Sequence, residues 1–214
     1  MTDGTAWLAE PQSIAYGGYS VVIAPDLESE SLARRIAETA PGPYRPRPIG
    51  ELTGRQVQDL LEGLYGGVLE GIALRHGELD EWSYVIKYGG WQGKFGSAGR
   101  PVDRGGLHVF HLEYEEENGR PVPPRFTYRH DENLMCEFNL YLDGSWAQGS
   151  PEGDPEVVAA VQERLAAAGL PDDELDRRVV HRACLEVVQR HFGLTLPRER
   201  ILEDTLPTLL LTAP

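Results

Sequence analysis

Lysine and cysteine are almost missing from this chain. Two of its 20 basic residues are lysines, Lys87 and Lys94, and Cys136 and Cys184 are its only cysteines. Two cysteines so far apart supply neither a CxxC redox pair nor a zinc knuckle. Both sit in apolar periodic stretches and read as small buried hydrophobes. No apolar run approaches the roughly 18 residues that a membrane-spanning helix needs, and no basic-then-apolar leader precedes Trp7. The expected setting is therefore a reducing cytosol, with no membrane partner. HExxH, a G-x-S-x-G elbow and closely spaced Cys/His sets are also missing, so no metal and no cofactor are expected.

What the chain has in excess is acid. Its 34 Asp and Glu against 20 Lys and Arg give a formal net charge of −14 and a pI near 4.8. Such a field repels phosphate backbones, which argues against nucleic acid, and it attracts basic protein surfaces. With 41% hydrophobic residues over 214 positions, the chain can bury a substantial core. Its pattern of elements predicts one α+β domain over 1–214. That domain is mainly an antiparallel sheet (a meander) packed against helices, with a helical C-terminal third.

The β-branched run 19–24, closed by Pro25, predicts a buried strand, and a helix follows from about Ser29 to before Pro41. Four prolines and two arginines over 41–48 predict an irregular connector. Thr53 and Gln56 form a capping-box pattern ahead of Val57, Leu60, Leu61 and Leu64 at helical spacing. Strands are expected over 68–74, 82–88 and 107–114. Two more, 126–130 and 134–142, flank a hairpin loop at Asp131, Glu132 and Asn133. The 134–142 strand is expected to be central. Asp154-Pro155 and Gly169 bracket one helix. Asp172 or Asp173 opens another, with Leu175, Val179, Ala183 and Val187 as its inward stripe, widened by Val180, Cys184, Val188 and Phe192, and Gly193 closes it. Pro197 starts a shorter helix, and 206–211 is expected as an edge strand.

Chemistry-bearing residues concentrate in the middle. Residues 89–106 hold seven glycines in eighteen positions, together with Trp91, Lys94, Phe95, Arg100 and Arg104. Aromatic and cationic side chains on such a loop suit recognition of a partner or an anionic small molecule. The start of the loop falls one residue short of a phosphate-binding loop, and no Ser or Thr follows Lys94. His108 and His111, three apart on a strand, point to opposite faces and cannot share a metal. His111 and Glu113 share a face, which is compatible with acid–base work. His130, followed by two acids at a hairpin tip, is a weaker candidate.

The stretch Phe138-Asn-Leu-Tyr-Leu-Asp-Gly-Ser-Trp-Ala, the Gly153-Asp-Pro-Glu helix start and the ending His191-Phe-Gly-Leu-Thr-Leu-Pro together resemble small actinobacterial proteins of unknown function. That resemblance implies a bacterial origin and one fold, and it carries no functional residue. The expected function is a non-catalytic cytosolic interaction protein, an immunity or accessory factor that binds another protein. The alternative is a small-molecule enzyme or binder with a pocket under the 89–106 loop and acid–base residues from His108, His111 and Glu113.

Overall fold

The computed structural model describes residues 4–15, 18–40, 44–65, 71–89, 102–115, 122–144, 149–172 and 174–212. Nine strands run through them: β1 (Tyr19–Pro25), β2 (Arg45–Leu52), β3 (Ile72–Leu79), β4 (Trp82–Gly89), β5 (His108–Glu115), β6 (Val122–His130), β7 (Asn133–Asn139), β8 (Glu152–Gly153) and β9 (Leu206–Thr212). They form one sheet in the order β2-β9-β3-β4-β1-β5-β6-β7-β8. Every neighbouring pair is antiparallel. The helices are α1 (Ser29–Thr39), α2 (Gly54–Tyr65), α3 (Pro155–Ala167), α4 (Arg177–Phe192) and α5 (Arg198–Leu202). The fold is α+β, but the sheet is more than a meander. β1 lies between β4 and β5, and β9 lies between β2 and β3.

Local chemistry fixes several boundaries as the residues demand. The Thr53 amide donates to Gln56 Oε1 at 2.8 Å and the Gln56 amide to Thr53 Oγ1 at 3.2 Å, a complete capping box for α2. Asp154 caps α3 through the amides of Glu156 and Val157. Gly169 and Gly193 take left-handed conformations just past α3 and α4, where a side chain would be strained. The β6–β7 hairpin turns on two residues, Asp131 and Glu132, both at positive φ (46° and 69°). That is the type I′ geometry matching the twist of the strands. The loop is one residue tighter than expected, since Asn133 already belongs to β7.

Four expectations are corrected. Residues 45–48 of the supposed connector begin β2, which is an edge strand. There the missing N–H groups of Pro46 and Pro48 cost no ladder on the open side. The 206–211 segment is not an edge but an interior strand. Leu210 enters one core while Leu209 and Leu211 enter the other, and burial on both faces is why the run is continuously apolar. The C-terminal third holds α3, α4 and α5 together with the short β8 and with β9. Helix α4 is capped by Asp176, not by Asp172 or Asp173, so Leu175 and Val179 are exposed. Val180, Cys184, Val187 and Val188 are buried as expected, and His181 and Leu185 join them. Finally, β7 ends at Asn139 and is the next-to-last strand, not a central one.

The sheet separates two cores. The larger face gathers Tyr84, Ile86, Phe110, Phe126 and Phe138 under residues of α2, α3 and α4. The smaller one packs Leu32, Ala33, Ile36 and Ala37 of α1 on Ile72, Leu74, Val85, Leu209 and Leu211. Cys136 and Cys184 are both buried in the larger core, and burial pushes their thiols up to about 12. Arg75 on β3 is fully buried. Its guanidinium donates to the carbonyls of Leu52 (2.9 Å), Ile201 (2.8 Å) and Asp204 (2.7 Å) and to the Tyr88 hydroxyl (2.8 Å).

Two stability predictions follow from this packing. Phe138→Ala should lose about 3–5 kcal/mol, as large aromatic truncations in cores do. A urea-denaturation difference under about 1 kcal/mol would place Phe138 outside the core. Arg75→Leu should lose about 3 kcal/mol or more, because it removes the donors that the Leu52, Ile201 and Asp204 carbonyls and the Tyr88 hydroxyl share. A variant as stable as the parent in the same measurement would show that water reaches these groups.

Candidate functional site

Helix α1 covers only the half of its sheet face built by β2, β9, β3 and β4. Along β1, β5, β6 and β7 the same face carries polar side chains in two cross-strand rows. One row runs Ser20, Glu113, Arg125, through the pairs Ser20–Glu113 and Glu113–Arg125. The other runs Val22, His111, Thr127, Glu137, through the pairs Val22–His111, His111–Thr127 and Thr127–Glu137. Strand alternation puts these side chains opposite Phe110, Leu112, Phe126 and Phe138, which belong to the larger core. The rows floor a cavity of about 330 Å³, walled by Ile36 and Thr39 of α1 and by Val102 and Asp103.

The polar contacts in the cavity are close but few of them are hydrogen bonds. Ser20 Oγ lies 3.1 Å from His111 Nε2, and Thr127 Oγ1 donates to Glu137 Oε2 at 3.1 Å. Glu113 sits 3.9 Å from both His111 Nε2 and Arg125 Nε, while Arg125 Nη1 lies 3.8 Å from Glu137. At the far end, Arg129 Nε approaches Asp103 Oδ2 at 3.3 Å. Asp103 is 1% exposed, and neither of its carboxylate oxygens has a hydrogen-bond partner. The Arg129–Asp103 contact is therefore an ion pair without hydrogen-bond alignment.

Burial lowers the His111 pKa, with Lys87 and Arg125 adding to the effect and Glu113 and Glu137 opposing it. The ring is thus neutral at pH 7 and able to accept a proton. Ser20 and Glu113 approach the same ring nitrogen. A serine–histidine–acid relay needs the two on different nitrogens, so this cluster is not a nucleophilic triad. What it offers is a neutral imidazole base beside a carboxylate, in a site partly shielded from water. Lys87, on the same face at the cavity wall, has its pKa lowered by burial to about 8, against the pull of Glu113 and Glu115.

Of the residues singled out from the sequence, His111 and Glu113 come together in this cavity. His108 and His130 do not. They stack on each other on the opposite face, with ring centroids 3.9 Å apart, and His108 Nδ1 lies 2.8 Å from the Tyr128 hydroxyl. Arg104 lies outside the cavity, paired with Glu38 at 2.6 Å, while its carbonyl accepts from Arg35 of α1. Trp91, Lys94, Phe95 and Arg100 fall outside the described residues. Sequence reasoning missed Ser20, Lys87, Asp103, Arg125 and Glu137. Polar residues alternating with a core face read as a solvated strand side, and only the position of α1 turns that side into a wall.

Among the described residues no three His, Cys, Asp or Glu converge as a metal-binding set, and no helix is long and apolar enough to cross a membrane. Comparison with known proteins finds no match: no family model, no curated protein and no solved structure. Function must therefore be read from the site itself.

The electrostatics of Lys87 can be checked directly. Peptide-resolved amine acetylation should show Lys87 titrating near 8, about two units below an ordinary lysine. In Glu113→Gln the loss of a stabilising negative neighbour should move it lower still. A profile centred above 10 in both proteins would mean that Lys87 is well hydrated.

Proposed function

We propose that this chain binds a small polar molecule in the cavity between α1 and the β1–β5–β6–β7 sheet face, with His111 and Glu113 as its acid–base pair. The observation that supports this reading is the partly enclosed 330 Å³ space floored by charged side chains at 3.8–3.9 Å separations. Glu113 and Arg125, in near contact but without a hydrogen bond among the described residues, keep donor and acceptor capacity for a ligand. Asp103, Glu113 and Glu137 are matched in number by Lys87, Arg125 and Arg129. The net acidity of the chain is therefore not focused here, and a surface for basic proteins would need it elsewhere. For that reason the small-molecule reading is preferred to the interaction-factor reading.

The test is retention. Protein purified without denaturation should release a small molecule on unfolding, detected by mass spectrometry. The His111→Ala/Glu113→Gln double variant, folded by circular dichroism, should release at least tenfold less. Equal retention by both proteins, or none by either across growth conditions together with stoichiometric capture of a basic protein, would replace this reading with the interaction-factor one.

A further inference from the structure

The two ends of the cavity hold unsatisfied groups of different kinds, and together they specify a ligand. At one end is Asp103, buried to 1% exposure, with both carboxylate oxygens lacking hydrogen bonds. Buried polar atoms are overwhelmingly bonded, and an ionised carboxylate without donors is costly, so this exception needs a reason. Arg129 does not remove it. Its Nε makes a 3.3 Å ion contact without bonding geometry, and its Nη2 is spent on the Glu132 carbonyl at 2.7 Å. Asp103 lines the cavity, and its carboxylate keeps acceptors that an N–H group reaching it would satisfy.

At the other end, Glu113 and Arg125 face each other across β5 and β6 at 3.9 Å, and among the described residues neither makes a hydrogen bond. Held only by ion contacts at 3.8–3.9 Å to Glu113 and Glu137, this guanidinium keeps its N–H donors for a bidentate carboxylate, and the adjacent Glu113 is a receptor for an ammonium. An α-amino acid carries that pair of charges as two substituents of one carbon. The ends are set apart by β6, where Arg125 and Arg129 are four residues distant, or about 13 Å of strand. A side chain leaving the Glu113–Arg125 end would run over Thr127 and His111, with Val109 alongside, before reaching Asp103.

Resting on the small-molecule reading above, we infer that the cavity takes a free basic α-amino acid: α-carboxylate on Arg125, α-ammonium on Glu113, and the side-chain ammonium or guanidinium on Asp103. The apolar stem of such a side chain suits the Val22 and Val109 walls. His111, neutral in the middle of the path, adds no competing charge.

Calorimetric titration of the full chain with L-lysine, L-arginine, L-norleucine and 6-aminohexanoate tests each contact. At least one basic amino acid should bind ten or more times tighter than norleucine, which lacks the terminal donor. The same one should outbind 6-aminohexanoate, which lacks the α-ammonium. Asp103→Asn should remove most of the preference over norleucine, and Arg125→Gln should weaken all four compounds. Equal affinity for the basic amino acid and norleucine in the unmodified protein would overturn the inference without recourse to any variant. So would an unchanged preference in a folded Asp103→Asn protein. If none of the four binds while a different molecule is retained in a His111- and Glu113-dependent way, this ligand assignment fails and the cavity reading stands. If no cavity-dependent ligand exists at all, both fail.

Discussion

Arg75 is a buried cation whose four hydrogen bonds go to three backbone carbonyls and a tyrosine hydroxyl, with no carboxylate among its acceptors. A guanidinium so placed loses its hydration and must recover it from fixed dipoles, so the positions of those dipoles are dictated by the arginine. The carbonyls belong to the end of β2, to α5 and to the residue at which the chain turns toward β9. One side chain on β3 therefore ties together the elements around the slot that β9 fills. The register of β9 then sets Leu209 and Leu211 beneath α1, beside Leu74 and Val85. The seat of α1 follows from that patch, and the rim of the cavity follows from the seat of α1.

The cavity exists because one helix covers half of a nine-stranded face. In a fully covered sheet, Glu113, Arg125 and Glu137 would be buried charges, each needing a bonded partner to be tolerated. On an open sheet they would be hydrated and energetically unremarkable. At the edge of α1 they are in between. Their ion contacts of 3.8–3.9 Å offset part of the lost hydration, and among the described residues Glu113 and Arg125 leave hydrogen-bonding capacity unused. The same partial burial lowers the basicity of His111 and Lys87, so the altered basicity of these groups comes from the depth of the site.

Much of the fold was legible because local chemistry and final structure agree. The Thr53–Gln56 box, the Asp154-Pro155 cap, the glycine stops at 169 and 193 and the alternation of Trp82, Tyr84, Ile86 and Tyr88 are decided by nearest neighbours. What could not be read was decided at long range. Pro46 and Pro48 argue against a strand unless it is known that their strand is an edge, and Leu206–Thr212 reads as an edge unless it is known that both its faces are covered. For the site, the shared face of His111 and Glu113 follows from a spacing of two. Their neighbours Arg125, Glu137 and Ser20 come from three other strands, brought alongside by pairings that sequence periodicity does not encode. Asp103, inside a glycine-rich loop, gave no sign that its carboxylate would be buried.

Strand alternation also keeps this site apart from the machinery that holds the protein together. On β1, Tyr19 sends its hydroxyl to His181 at 2.6 Å in the larger core, while Ser20, the next residue, reaches His111 across the cavity. On β5, Phe110 and Leu112 pack under the helices while His111 between them faces the other way. On β6, Phe126 and Tyr128 do the same on either side of Thr127. A substitution at 20, 111, 113, 125 or 127 therefore changes the cavity without opening a void among the aromatic rings of the core. The cavity lining can then vary at little cost to stability, and Arg75, Phe138 and the α1 seat remain the constraints on the scaffold.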